Sequence, residues 1–350
     1  MTDIPVEAKD ITDVDAPHWS RGEPVLQIRG LNVTFRTEDG PVYAVRGVDL
    51  DVAAGEVLGI VGESGSGKSV TMLALLGLLP RTATITGSAK FHGEELIGRK
   101  SRFLQTIRGA KIGMIFQDPL TALNPVHRVG RQITEAIRAH RGDMSEHEAM
   151  DRAVELLQSV GIPRPEVRVR QYPHEFSGGM RQRAMIAMMI ANDPDVIIAD
   201  EPTTALDVTI QAQILELIKD VQVRTGSAVV FITHDLGVIA RVADRVQVMY
   251  AGRVAEIGAA DDIFHRARHP YSHGLLESLP ATNVRSERLK PIVGSPPSML
   301  FPPSGCAFHP RCPSAQAVCE GEQPPLVPIG GPGQVCACYF PIAAPVRADS

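Results

Sequence analysis

Eight residues, Gly62-Glu63-Ser64-Gly65-Ser66-Gly67-Lys68-Ser69, constrain this chain more than any other part of it. They fit the pattern G-x-x-x-x-G-K-[S/T] in full. In such a loop the glycines let backbone N–H groups turn inward around phosphate oxygens. Lys68 sets a cation against the terminal phosphates, and Ser69 offers its hydroxyl to magnesium. The pattern carries weight only between a buried strand and a helix, and the flanks meet that condition. EVLGIVG, ending at Gly62, is an apolar run, and the chain from Ser69 onward reads as a helix. That helix adds the positive end of its dipole to the same phosphates. Gly62, Ser64, Gly65, Ser66, Gly67, Lys68, Ser69 and Val70 are the candidate nucleotide contacts.

The rest of the chain reads as strands alternating with helices. VLQIRGLNVTF, from Val25, alternates apolar and polar residues as a strand does, and VYAVRGVDLDV reads as its hairpin partner. KIGMIFQDP is a buried strand stopped at Pro119. Further strands are DVIIADEP, AVVFITHD, RVQVMYAG and RVAEIG. Between about residues 121 and 180 the character turns helical, with ITEAIRAH and HEAMDRAVELLQSVGI, and an inserted helical subdomain is expected. GMRQRAMIAMMIAN, the long segment closed by Gly226, and DDIFHRA are also helical. Alternation of this kind implies an α/β fold with a parallel sheet. After about residue 266 proline becomes dense and then all five cysteines appear, so a separate C-terminal region is expected over 266–350.

Composition narrows the function. The chain has 350 residues, 44% hydrophobic and 21% charged, with a formal net charge of -5, so nothing in the balance argues for nucleic acid. No apolar run approaches the roughly 18 residues that cross a bilayer. Residues 1–24 are acidic and lack a signal-peptide pattern; they read as a flexible lead-in.

Two further motifs carry chemistry. VIIADE brings Asp200 and Glu201 to the exit of an apolar strand. Asp200 suits a magnesium-holding role, and Glu201 is then placed to polarise a water for attack on the γ-phosphate. Ser177-Gly178-Gly179 precedes a helix, which makes a second anion site.

The order of these features resembles the ATP-binding subunit of an ATP-binding cassette (ABC) transporter over about Val25 to Arg266. It runs phosphate loop, Gln117, SGG, VIIADEP, Thr204-Ala205-Leu206-Asp207, His234. The resemblance implies a P-loop (RecA-like) core over 25–265 with a β-hairpin subdomain and a helical subdomain, and ATP and Mg2+ as ligands. It implies that two cassettes dimerise head to tail, Ser177, Gly178 and Gly179 of one capping the nucleotide of the other. Gln117 would ligate magnesium with Ser69 and Asp200, His234 would contact the γ-phosphate, and Asp207 would link the two sites. Phe35, and after it Tyr43, would stack on the adenine. One departure is Met180, where the common signature has a glutamine that can donate a hydrogen bond.

FQDPLTALNPV, SGGMRQRAMIA, HPYSHGLLESLP and GCAFHPRCPSAQAVC resemble the dipeptide, oligopeptide and nickel import subgroup. The resemblance implies peripheral attachment at the cytoplasmic face of the membrane. The implied partners are a second ATPase subunit, two transmembrane permease subunits and an extracytoplasmic solute-binding protein. Permease coupling helices would dock near Asp118–Val126. Competing readings are a soluble ABC ATPase of translation or DNA repair, and a nucleotide binder that does not turn over.

Cys306, Cys312, Cys319 and Cys338, with Cys336 as a fifth, lie in a proline-rich tail. Four thiolates there could be tied by a metal. The resemblance implies a [4Fe-4S] cluster on Cys306, Cys312, Cys319 and Cys338; spacing alone leaves zinc or free thiols open.

Overall fold

A computed structural model describes residues 23–118, 122–204, 207–278, 291–330 and 333–343. The lead-in up to residue 22, Ala205, Leu206 and residues 119–121 of the expected docking segment lie outside these ranges.

Two long strands open the fold, β1 (Pro24–Thr37) and β2 (Gly40–Ala53), paired as an antiparallel hairpin. Next comes β3 (Val57–Val61), then α1 (Lys68–Leu75). β4 (Ala83–Phe91) and the short β5 (Glu94–Glu95) join the hairpin in a four-stranded sheet, β2-β1-β4-β5. Neither β4 nor β5 was expected from the sequence, nor was α2 (Ser101–Ile107). ATITGSAKF holds threonines, a serine and a glycine, so its apolar alternation is faint, although Ala89 and Phe91 are buried in the core beside β1.

The second sheet has eight strands in the order β11-β12-β10-β9-β3-β8-β7-β6. Its centre is parallel: β6 (Ile112–Ile115), β7 (Val196–Asp200), β8 (Ala228–Thr233), β3 and β9 (Arg245–Tyr250). Every residue of β6, β7, β8 and β9 is buried, as a sheet covered on both faces requires. The faces alternate: Val229 and Phe231 pack into one apolar cluster, Val230 and Ile232 into the other. β10 (Arg253–Ala259) turns back antiparallel on β9. The two-residue strands β11 (Val327–Pro328) and β12 (Val335–Cys336) extend that edge.

Between β6 and β7 lie α3 (Val129–Arg138), α4 (Glu146–Ser159), α5 (Pro165–Arg168) and α6 (Gly178–Met189). Their apolar stripes, Val129, Ile133 and Ile137 on α3 with Ala149, Ala153 and Leu156 on α4, merge with the cluster under one sheet face. Ser145 and Glu148 form a reciprocal capping box that starts α4. α7 (Val208–Thr225) follows β7 and closes at Gly226, φ 66°. α8 (Leu236–Val242) follows β8. α9 (Ala260–Arg266) and α10 (Pro270–Glu277) follow β10.

Glu256 on β10 is fully buried, and the C-terminal segments are built around it. Its carboxylate accepts from the backbone N–H of Arg268 (2.8 Å) and His269 (3.0 Å) and from Gln334 Nε2 (2.9 Å). Burial pushes its carboxyl above the usual range.

Candidate functional site

Four neighbouring parallel strands, β3, β8, β7 and β6, end on the same side of the sheet. Ligands in open α/β sheets bind beyond the carboxyl ends of the strands. Each of these ends leads into one of the expected chemical groups: the phosphate loop after β3, Gln117 after β6, Asp200 and Glu201 at the end of β7, and His234 after β8.

The loop's two tightest positions are Gly62 and Gly67. A Cβ on Gly62 would lie 2.1 Å from the carbonyl oxygen of Met249, and one on Gly67, at φ 96°, 2.5 Å from that of Ala44. Only glycine fits either place. Lys68 Nζ donates to the carbonyls of Gly62 (2.7 Å) and Glu63 (2.9 Å), curling the ammonium back over the loop it helps to shape. Burial lowers its pKa, against the opposing pull of Glu201, Asp200 and Glu63. Ser66 is buried, Ser64 and Gly65 face solvent, and Val70 is half-buried against the core.

Ser69 Oγ donates to Asp200 Oδ1 at 2.7 Å, so the hydroxyl and carboxylate expected to share a magnesium ion stand side by side. Burial raises the Asp200 carboxyl, with the Ser69 bond acting the other way. These hard oxygen donors suit Mg2+.

Glu201 is the hub of the site. Its Oε1 lies 3.1 Å from His234 Nδ1, and its Oε2 accepts from Gln117 Nε2 (3.2 Å) and Thr204 Oγ (2.9 Å). Burial alone would raise this carboxyl; the His234 and Thr204 hydrogen bonds and nearby cations outweigh it, and the group sits below the usual range. The role of Thr204 was not foreseen, although it stands three residues after Glu201, the reach of a side chain folding back within one turn.

Ser177 caps α6, its Oγ accepting from Met180 N–H at 3.3 Å. Gly179 packs against Ile210 at the start of α7, where a Cβ would meet Ile210 Cγ2 at 3.1 Å. Asp207 caps α7, accepting from Ile210 N–H at 2.9 Å. Among the described residues no hydrogen bond joins Ser177, Gly178 or Gly179 to the phosphate loop of the same chain. Phe35 and Tyr43 stand on opposite arms of the β1–β2 hairpin, Phe35 half-buried against the core and Tyr43 39% exposed.

The expectation of an iron–sulfur cluster is overturned. Among the described residues no group of three or more His, Cys, Asp or Glu side chains could hold a metal ion, and all five cysteines are free thiols. Burial pushes the thiols of Cys306 and Cys312 up, whereas Cys338, which accepts the hydrogen bond of Cys336, is lowered. The tail is held instead by packing and by backbone bonds such as Cys306 N–H to Cys319 O, 2.8 Å.

A phosphate loop, an acidic strand end and a histidine gathered at the ends of adjacent parallel strands define a P-loop ATPase. Residues 45–204 match the ABC transporter family, and residues 255–319 match the C-terminal region of oligopeptide/dipeptide transporters. The oligopeptide transport ATP-binding protein OppD of Salmonella typhimurium is 49% identical over 318 residues, covering 91% of this chain and 94% of its own length. The dipeptide transport ATP-binding protein DppD of Bacillus subtilis is 53% identical over 304 residues, 86% of this chain and 90% of its own. A dimeric ATP-binding cassette solved in a post-hydrolysis state with ADP and Pi superposes with a TM-score of 0.61 at 30% identity, over 67% of this chain and 98% of that one. The chain therefore belongs to the ATP-binding subunits of ABC transporters, in the oligopeptide/dipeptide branch, and hydrolyses ATP.

Proposed function

We propose that this chain is the motor subunit of a peptide importer, binding ATP between two cassettes and using its hydrolysis to drive permease subunits. The observation that carries the reading is the Glu201 hub, which ties Gln117, Thr204 and His234 to one carboxylate beside Lys68 and Asp200. The similarity to transport proteins for oligopeptides and dipeptides supports peptides as cargo over translation, repair or nickel transport.

In this reading the loop from Gly62 to Ser69 grips the phosphates, and Lys68 turns from the carbonyls of Gly62 and Glu63 to the nucleotide. Ser69, Asp200 and Gln117 would hold Mg2+, which neutralises charge developing on the phosphates when bound. Glu201, ionised at neutral pH, accepts the proton of the attacking water, and His234 orients it and faces the γ-phosphate. Phe35, or after it Tyr43, stacks on the adenine. Ser177, Gly178 and Gly179 serve the nucleotide of a partner cassette, with Asp207 at the junction; their capping of α6 and α7 away from the chain's own loop supports this.

The division of the chain into a cassette over 25–265, with a helical subdomain at about 121–180, and a C-terminal region over 266–350 belongs to the same reading. So do its partners: a second ATPase subunit, two permeases docking near Asp118–Val126, and a solute-binding protein. No helix among the described residues is long and apolar enough to cross a membrane, which suits attachment through those permeases.

Glu201→Gln tests the assignment. The variant is expected to bind ATP as tightly as the parent while steady-state hydrolysis falls by about a hundredfold or more. Hydrolysis at half the parental rate by a complex carrying this variant in all of its cassettes would remove Glu201 from the general-base role.

A further inference from the structure

Glu63 is the second residue of the phosphate loop, and two side chains from the C-terminal region close on it. Arg311 forms a two-pronged ion pair with its carboxylate, NH1 to Oε2 at 2.6 Å and NH2 to Oε1 at 3.0 Å. Tyr271 reaches the same residue's backbone, its hydroxyl accepting from the Glu63 N–H at 2.9 Å.

Both side chains are built into place. The Arg311 side chain is 5% exposed; its Nε donates to the carbonyl of Val293 at 3.1 Å, and its NH1 also reaches the Tyr250 hydroxyl at 3.2 Å. Its guanidinium lies 5.8 Å from the centre of the Tyr250 ring. Tyr271 is fully buried, with its ring 4.5 Å from that of Tyr250 and 5.3 Å from that of Phe308. It sits at the head of α10, where His269 accepts its backbone N–H at 3.0 Å. Tyr271 and Arg311 both fall within residues 255–319, matched to the transporter C-terminal region, and outside residues 45–204, matched to the cassette.

We infer that the C-terminal region tunes the nucleotide site by neutralising and positioning Glu63, with Arg311 and Tyr271 as positioning residues for the phosphate loop. The electrostatic reason is direct. Glu63 is an acid in a loop that must receive a polyanion, and its carbonyl also holds Lys68 at 2.9 Å. Unpaired, its carboxylate would repel the phosphates and draw Lys68 back toward the loop. Paired bidentately with a desolvated guanidinium, it becomes a neutral strut. The Tyr271 bond fixes the backbone at the same point, so the loop is braced from outside the cassette.

This inference rests on the ATP-binding reading above, and one titration separates the two. A fluorescent ATP analogue with Mg2+ is titrated into the full-length chain, its variants checked by thermal unfolding. Arg311→Gln is expected to weaken binding about tenfold, because it leaves a half-buried carboxylate unpaired beside the ligand. Arg311→Lys keeps the charge but loses the fork and is expected to lose about threefold. Removing the offending charge as well, in the double variant Glu63→Gln with Arg311→Gln, should bring affinity back to within about threefold of the parent. A merely architectural arginine would give no such recovery. Parental binding that survives Arg311→Gln within twofold, or a double variant no better than the single one, overturns the inference; absence of binding in the parent overturns the ATP-binding reading instead. If Arg311→Gln does not fold, an unchanged affinity in Arg311→Lys is the overturning result.

Discussion

Glu201 adopts a left-handed backbone, φ 47°, at the end of a strand where every other residue is extended. A non-glycine residue held there costs on the order of 1–3 kcal/mol. The ladder bond from its N–H to the Ile232 carbonyl, 2.9 Å, keeps the strand in register up to that point, and the twist then turns the side chain from β7 toward His234. The phosphate loop shows the converse case, a conformation only glycine can take. Gly67→Ala is expected to lower the affinity for ATP at least tenfold, since the new Cβ would meet the Ala44 carbonyl at 2.5 Å and force the loop away from β2. Nucleotide titration of the purified variant checks this. At this scale Lys68, Ser69, Asp200, Glu201, Gln117 and His234 could be named from the sequence as candidates, because each stands in a short pattern whose chemistry asks for that residue type, and the structure brings them to one end of the sheet. Tyr271 and Arg311 were not assigned roles, because their partners lie across the fold; Thr204 bonds a neighbour three residues away, but threonine in that place announces no chemistry by itself. Arg311 is 248 residues from Glu63, and no local pattern announces such a pair.

Among the elements, the two helices that follow Ser177 and Asp207 begin with those side chains as caps. Asp207 starts α7 and Ser177 starts α6, each side chain accepting a backbone N–H from the first turn. A cap orients its residue and stabilises the helix, so Asp207→Ala is expected to cost about 1 kcal/mol in unfolding free energy. Asp207→Asn preserves the acceptor and should restore that stability; chemical denaturation of the three proteins measures both. The central strands were legible because they are apolar throughout, and α4 because its apolar spacing is regular and its end is marked by Gly161 and Pro163. β4 and β5 escaped notice, since polar strands owe their place to the hairpin beside them. The cysteine pattern misled for a related reason. Spacing along a chain does not say whether thiols will meet in a geometry that holds a metal, and among the described residues no group of three or more such side chains does.

For the molecule as a whole, His269 makes stability depend on pH. Burial lowers its pKa from the ordinary 6.5 to about 4, and its ring both caps α10 and lies beside Phe308. The unfolded chain takes up a proton near pH 6.5 that the folded chain refuses until about pH 4, so this group costs stability as pH falls through that window. The full gap amounts to roughly 3 kcal/mol. Thermal unfolding between pH 7 and 4 should show a decline that is shallower in His269→Asn, which retains a capping acceptor without the titrating ring. An identical slope in both proteins would assign the decline to other groups.

The antiparallel addition of β12 to β10 has a consequence beyond architecture. Ile257 and Glu256 pair with Val335 and Cys336, and Ala337 N–H reaches the Ala255 carbonyl at 2.8 Å. A chain cut before Gln334 would lose these partners, deprive the buried Glu256 carboxylate of Gln334, and leave the strand margin from Val254 to Ile257 with unsatisfied amides facing water. Such a margin is a template for another chain of the same kind. The few residues from Gln334 to Cys338 thus guard the protein's solubility, and a truncated form should precipitate or form oligomers at concentrations where the full chain stays dispersed, as light scattering would register.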